Sequence, residues 1–328
     1  YGTGKRRDAA AALFSERLRP DIMREPTEFR FISGRDGNRL RTAVFEPEAG
    51  RRERGVCVLL SGQTEFIEKY GEVIGELRVR GFRVATLDWR GQGASRRALP
   101  DPLKAHIGDF AEYDEDLSAF MDMVVRPLGS AKPIALAHSM GGHILLRALH
   151  DHPQQFAAAV LSAPMIRAQT RGHNPLLARA VCYLQNLTGH ANDWVWGMDK
   201  RDPLYMSFCD QLVTSDETRW QRTQDIIESH PEIRLAGPSW GWLEAAYRSM
   251  ASVCAPGFPE AILTPVLICG AGKDRIVDTA ATAEFARRLP HGTYLQFDDS
   301  EHEILMEQDD IRAEFWAAFD AFAGQYAP

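Results

Sequence analysis

The sequence predicts an α/β protein, a mostly parallel sheet flanked by helices and interrupted by a helical insertion. Two observations predict it. Apolar runs of strand length alternate with helix-spaced segments over 56–161, and again over 265–322. That order implies parallel strands joined by crossover helices. Between 164 and 252 the rhythm stops, the pattern turns helical, and five of the seven tryptophans gather: Trp194, Trp196, Trp220, Trp240 and Trp242. The chain accordingly divides into a core of 27–163 and 253–328, an insertion of 164–252 and an extension of 1–26.

Each element has its own signal. Phe29, Phe31, Leu40, Ala43 and Val44 flank the turn Arg35-Asp36-Gly37-Asn38 and predict a hairpin within 27–47. The run 56–60 reads as a buried strand. Helical spacing over 66–79 ends before Gly81, and a strand follows over 82–87. Leu117, Phe120, Met121 and Val124 lie on one stripe of a helix over 110–125. Next come a strand over 133–137, a helix over 142–149 stopped by His152-Pro153, and a strand over 157–161. After the insertion the order is a strand at 265–270, a helix at 278–289, a strand at 293–297 and a helix at 309–322.

With 45% hydrophobic residues in 328, the chain can bury a sizeable core, which excludes general disorder. The net charge of −7 argues against a dedicated nucleic-acid binder. Cys57, Cys182, Cys209, Cys254 and Cys269 are odd in number and widely spaced, with no C-x-x-C. That fits reduced thiols in the cytoplasm better than a disulfide framework or a zinc site. Basic residues 5–7 precede an apolar run at 9–14, which is too short for a secretory leader. No apolar run approaches the ~18 residues needed to span a bilayer.

The sharpest feature is Ala137-His138-Ser139-Met140-Gly141-Gly142, between a strand and a helix. A serine on such a tight turn projects its hydroxyl above the sheet edge, and small neighbours let strand and helix approach. The competing reading is a helix-capping serine. A serine nucleophile needs a base and an orienting acid, in the chain order Ser, acid, His. Asp274 follows the strand at 265–270 and His302 follows the strand at 293–297, the matching places. Taken singly, Asp274 also reads as a loop-stabilising residue or a partner of Arg275, and His302 as a helix cap. The oxyanion donors are expected to be the backbone N–H groups of Met140, after the nucleophile, and Gln63, after Gly62.

Other motifs fail. His302-Glu303-Ile304-Leu305-Met306 lacks the second His of a zinc helix. Gly270-Ala271-Gly272-Lys273-Asp274 lacks the Ser or Thr of a phosphate loop, and Gly91-Gln92-Gly93 lacks the third Gly of a dinucleotide fingerprint. No metal and no cofactor are inferred.

On these residues the chain resembles the α/β-hydrolases of the bacterial lysophospholipase and monoacylglycerol lipase type, grouped with the serine aminopeptidase-like hydrolases. The resemblance covers roughly 27–323. Asp88-Trp89-Arg90-Gly91-Gln92-Gly93-Ala94-Ser95 is similar to the family's D-x-R-G-x-G-x-S loop, and Ser61-Gly62-Gln63-Thr64-Glu65 with Tyr70 to its H-G-x-x-E…Y segment. Segments 266–277 and 300–305 match the acid and His segments. Leu212-Val213-Thr214-Ser215-Asp216 and Pro238-Ser239-Trp240-Gly241-Trp242 resemble the lysophospholipase branch. Ala137 stands where the family has Gly, and Ser61 where it has the His of H-G.

The resemblance implies an α/β-hydrolase fold with the insertion as a helical cap over the site. The expected activity is serine ester hydrolysis of a small-molecule acyl ester such as monoacylglycerol or lysophospholipid. The alternatives are aminopeptidase or amidase activity, or a non-catalytic ligand receptor on the same fold. Transient membrane contact is expected through the aromatic-rich cap, although no amphipathic anchor stands out.

Overall fold

The computed structural model describes residues 28–129, 131–170, 174–199 and 201–327. The basic run 5–7 and the apolar run 9–14 lie outside the described residues. Strands β1 (Glu28–Ser33) and β2 (Arg39–Phe45) form the expected antiparallel hairpin. Gly37 takes the left-handed φ of +76° at its tip, a conformation open to glycine. The remaining strands are β3 (Val56–Leu60), β4 (Arg83–Leu87), β5 (Lys104–Ala105), β6 (Ile134–His138), β7 (Ala158–Ser162), β8 (Gly237–Pro238), β9 (Val266–Ala271) and β10 (Gly292–Phe297).

Eight of them form one sheet, ordered β1-β2-β4-β3-β6-β7-β9-β10. Pairing is antiparallel at β1–β2 and β2–β4 and parallel at every other step. β3, β6, β7 and β9 are buried along their whole length, which is why they read as continuous apolar runs rather than alternating ones. The parallel order brings the carboxyl ends of β3, β6, β9 and β10 to one edge, where ligand chemistry collects in such sheets.

The helices are α1 (Gly71–Val79), α2 (Ala111–Phe120), α3 (Ser139–Asp151), α4 (Pro175–Leu187), α5 (Glu217–Ser229), α6 (Trp240–Val253), α7 (Thr279–Arg288) and α8 (Asp309–Ala323). Two expected helices are interrupted. The helix expected over 66–79 begins as a 3₁₀ turn at Ile67–Tyr70, whose first N–H is taken by the buried Asp88 Oδ1 at 3.0 Å. The helix expected over 110–125 continues beyond α2 as a wider π turn at Met121–Val125.

The insertion supplies no strand to the main sheet among its described residues. Its last helix, α6, nevertheless buries Trp242, Ala245, Ala246, Met250 and Val253 in the same apolar core as the sheet. The two-residue pairing of β5 with β8 ties the insertion to the loop after β4. Elements that short carry no periodicity signal.

One close approach fixes the geometry at the sheet edge. A Cβ on Gly141 would lie 2.5 Å from Ser61 O and 2.7 Å from Leu60 O, both backbone atoms. Gly141→Ala is therefore expected to force α3 away from β3, at a cost of about 1–3 kcal/mol. A lowered Tm checks this; an unchanged Tm would mean the backbone yields freely.

Candidate active site

β6 hands the chain to α3 through Ser139, whose φ is +50°. Among the described residues, three non-glycine positions have positive φ: Thr64, Ser139 and Ala163. Each follows a strand at the same sheet edge, where stored strain commonly marks function. Ala137, in place of glycine, is fully buried within β6, paired with Leu60 and Leu161. Its methyl is accommodated and the turn forms.

The structure brings Ser139, Asp274 and His302 together. His302 Nε2 lies 2.9 Å from Ser139 Oγ, and Nδ1 lies 2.7 Å from Asp274 Oδ2. With Asp274 ionised, Nδ1 carries the proton and donates, which leaves Nε2 free to accept from the serine hydroxyl. The other Asp274 oxygen accepts the N–H groups of Ile276, at 2.8 Å, and Val277, at 2.9 Å. Burial alone would raise that carboxyl; the His302 charge and hydrogen bond and the two N–H donors outweigh it and hold the pKa below the usual aspartate value. At His302 burial opposes the cation, but Asp274 prevails, with help from Glu303 and Glu65, and the imidazole pKa rises.

The nearby acids are engaged elsewhere. Asp298 accepts from Gln296 at 2.6 Å, Asp299 pairs with Lys273 at 2.8 Å, and Glu303 binds Lys69 at 2.5 Å. Arg275 pairs with Glu301 rather than with Asp274.

Met140 is the second residue of α3, so its N–H has no partner one turn back in the helix. Gln63 lies in the loop after β3, beside this turn. That loop is built tightly. Glu65 accepts the Gly62 N–H, and the Tyr70 hydroxyl donates to the same carboxylate at 2.6 Å. Gln92 donates to Gly62 O at 3.0 Å and accepts the N–H of the strained Thr64 at 2.9 Å. The glutamate, the tyrosine and the Gly-rich loop singled out in the sequence thus brace one short segment. Gly62 itself leaves no room: a Cβ there would meet Glu65 Oε2 at 2.8 Å and Ser139 Cβ at 3.2 Å.

The insertion motif 212–216 braces the His302 loop. The Glu303 N–H donates to Val213 O and the Thr214 hydroxyl to Met306 O, each at 2.7 Å, while Ser215 bonds Glu307. Arg219 of α5 then reaches Glu72 on α1 at 2.7 Å and Asp309 on α8 at 2.6 Å. Of the insertion's tryptophans, Trp240 and Trp242 are buried; Trp242 donates to the Tyr113 hydroxyl at 3.2 Å, and Trp196 packs edge-on against Trp240 in the open.

Sequence reasoning missed a buried cluster of Glu65, Lys69, His138 and Glu303. Glu65, His138 and Glu303 offer ligand atoms within 4.8 Å of one another. They are nevertheless no cation site as they stand, because the Lys69 ammonium already sits 2.9 Å from Glu65 and 2.5 Å from Glu303. His138 points away from the serine hydroxyl, its Nδ1 3.1 Å from Ser162 O, and burial pushes it down to about 4, so it is neutral.

Comparison with known proteins then places the molecule. The family model described as serine aminopeptidase, S33, matches residues 51–309. The chain belongs to the serine aminopeptidase S33 family. Within it, the chain is 30% identical over 314 residues to lysophospholipase L2 of Escherichia coli, covering 94% of this chain and 90% of that one. It is also 30% identical over 156 residues to a monoacylglycerol lipase of Mycolicibacterium smegmatis, covering 48% and 53%. A soluble variant of monoglyceride lipase from Saccharomyces cerevisiae superposes with a TM-score of 0.73 at 17% identity, covering 94% and 98%. This last likeness bears on fold alone: the S33 chain has the α/β-hydrolase architecture. Among its described residues, no helix is long and apolar enough to cross a membrane.

Proposed function

We propose that this S33-family chain is a serine ester hydrolase acting on single-chain acyl esters, lysophospholipid or monoacylglycerol, through an acyl-enzyme. The observation that carries the reading is the unbroken hydrogen-bonded series Asp274–His302–Ser139. Ser139 Oγ attacks the ester carbonyl as His302 Nε2 takes its proton. The N–H groups of Gln63 and Met140 receive the oxyanion. The tetrahedral intermediate collapses, His302 returns the proton to the leaving alcohol, and Ser139 keeps the acyl group. Water, deprotonated by His302, then attacks the acyl carbon, and the acid leaves as His302 returns the proton to Ser139 Oγ. Asp274 holds the imidazole tautomer and stabilises its cation throughout. The names of the relatives, lysophospholipase and monoacylglycerol lipase, support the substrate class.

A receptor would not require this intact relay. An aminopeptidase would need carboxylates gathered about a substrate ammonium. In the insertion, Asp202 pairs with Arg234, Asp216 with Arg219, and Glu244 with Arg248. With the insertion serving as a cap, acyl methylenes gain ~0.8 kcal/mol each on burial, so four supply ~3 kcal/mol, roughly a hundredfold in rate. The expected result is a kcat/KM that rises from p-nitrophenyl acetate to the butyrate or hexanoate, with aminoacyl nitroanilides hardly cleaved. Acetate as the best ester, or efficient nitroaniline release, would count against it.

The raised His302 pKa fixes a second expectation. The imidazole must be neutral to accept the serine proton, and its cation is favoured in the folded protein. Activity is therefore present above the His302 pKa and lost as pH falls through it. The midpoint of the acid limb is expected above 6.5, the ordinary imidazole value. A midpoint below that value would contradict the electrostatics.

The proposed membrane contact has a structural candidate. On α4, Leu176, Tyr183, Leu184 and Leu187 recur at helical spacing and all are exposed. Such an outward apolar stripe suits the boundary of a lipid aggregate. Leu184→Ser with Leu187→Ser is expected to weaken binding to phosphatidylcholine vesicles while leaving hydrolysis of a soluble ester unchanged. Equal vesicle binding would remove α4 from the account.

A further inference from the structure

Behind the triad lies a set of ionisable groups that the acyl-transfer steps do not use. The Lys69 ammonium is held between Glu65 Oε1 at 2.9 Å and Glu303 Oε1 at 2.5 Å. The three side chains are 9%, 3% and 9% exposed, so water does little for any of them. Each partner belongs to a different part of the site. Glu65 accepts the Gly62 N–H, next to Gln63, and the Tyr70 hydroxyl. Glu303 is the residue after His302, and its own N–H is fixed on Val213 O. One buried cation therefore links the segment after β3 to the segment after β10.

We propose that Lys69 is a positioning residue of the catalytic centre, fastening the loop that presents the Gln63 N–H to the loop that carries His302. This rests on the triad reading above. Two carboxylates this deeply buried and this close cannot both stay ionised without a cation between them. Against burial, Lys69 and the Tyr70 hydroxyl hold Glu65 down at about 2; at Glu303 burial outweighs Lys69 and the carboxyl rises above its ordinary value. Both carboxylates add to the rise in the imidazole pKa, and Lys69 lies between them.

The other groups around His302 are engaged with partners of their own or are neutral. Asp274 takes Nδ1, and Ser139 takes Nε2. The His138 ring, 4.8 Å away between centroids, is neutral. On the outer side Glu301 is paired with Arg275, and Glu307 is bound by Ser215 and the Glu301 N–H. Lys69 thus acts through two neighbours and never touches the reacting atoms.

The test uses p-nitrophenyl butyrate and three variants of the full chain. Glu303→Gln keeps an acceptor for Lys69 but removes one negative charge beside His302. Its acid-limb midpoint is expected to move to lower pH by about half a unit or more. Lys69→Met frees the two loops from each other; kcat is expected to fall about 10- to 100-fold with KM changed less than about threefold. Lys69→Arg, which restores a cation, is expected to recover most of the lost kcat. A Glu303→Gln midpoint that does not move, or a Lys69→Met kcat within about threefold of wild type, would overturn the proposal. If Lys69→Met does not fold, Glu303→Ala, which removes the partner of Lys69 on the His302 loop, is read for the same fall in kcat at nearly constant KM, and a kcat within about threefold of wild type overturns the proposal. Every folded variant should still label at Ser139 with a fluorophosphonate; failure of the wild-type protein to label would instead strike the triad reading.

Discussion

Ser139→Ala is expected to abolish ester turnover, lowering kcat by about 10³- to 10⁶-fold. The substitution removes the oxygen that lies 2.9 Å from His302 Nε2 and nothing else in the turn. Ser139 is buried at the N-terminus of α3, and Met165 binds its carbonyl at 3.0 Å, a contact alanine keeps. The folded state should therefore survive, as an unchanged Tm would report. Residual turnover would come from the remaining oxyanion donors and from substrate binding. Activity within tenfold of wild type, in a preparation free of other esterases, would refute the assignment.

Asp274→Asn is expected to cost on the order of 10⁴-fold in kcat, by analogy with other triads. The asparagine NH₂ would face His302 Nδ1 where the carboxylate Oδ2 now accepts at 2.7 Å. The imidazole would then place its proton on Nε2, the wrong tautomer to act on Ser139, and its cation would lose its counter-charge. Fold is less affected, because asparagine retains an oxygen for the Ile276 and Val277 N–H groups. Asp298 and Asp299 lie much closer to His302 in sequence, yet their partners are Gln296 and Lys273. Substituting Asp299 should cost less than about threefold, in keeping with an exposed ion pair. The reverse ranking of Asp274 and Asp299 in measured rates would transfer the orienting role and sink this choice.

The site was legible to the extent that sequence order mirrors sheet order. Ser139, Asp274 and His302 each follow a strand whose apolar run was long enough to recognise, and the parallel pairing carries those strand ends to one edge. The Ala137 departure was readable as harmless because a buried methyl in β6 asks for little space. What stayed hidden depends on contacts between distant residues. Lys69 and Glu303 lie 234 positions apart, and no local pattern announces an ion pair between them. The 3₁₀ turn at Ile67–Tyr70 was hidden for a similar reason, since it is capped by Asp88 from another loop.

The α4 leucines illustrate a different limit. Their spacing indicates an apolar face, which in most helices turns inward. Only the packing of Cys182 and Asn186 toward α6, with Asn186 donating to Trp240 O at 3.0 Å, turns that face outward. Likewise, 212–216 was readable as a family motif, but its work as a brace on the His302 loop appears only when Val213 meets Glu303. The Trp-rich insertion shows in the sequence as a break in the strand rhythm, while the share of α6 in the main core requires the folded chain.

Covalent labelling shows whether Ser139 is the residue that carries the acyl group. The native protein is treated with a fluorophosphonate, digested, and mapped by mass spectrometry. One adduct is expected, on the peptide containing Ser139, whose formation slows as pH falls through the His302 pKa and which is absent from Ser139→Ala. An adduct on another residue, or none on a folded protein that still hydrolyses p-nitrophenyl butyrate, would contradict it.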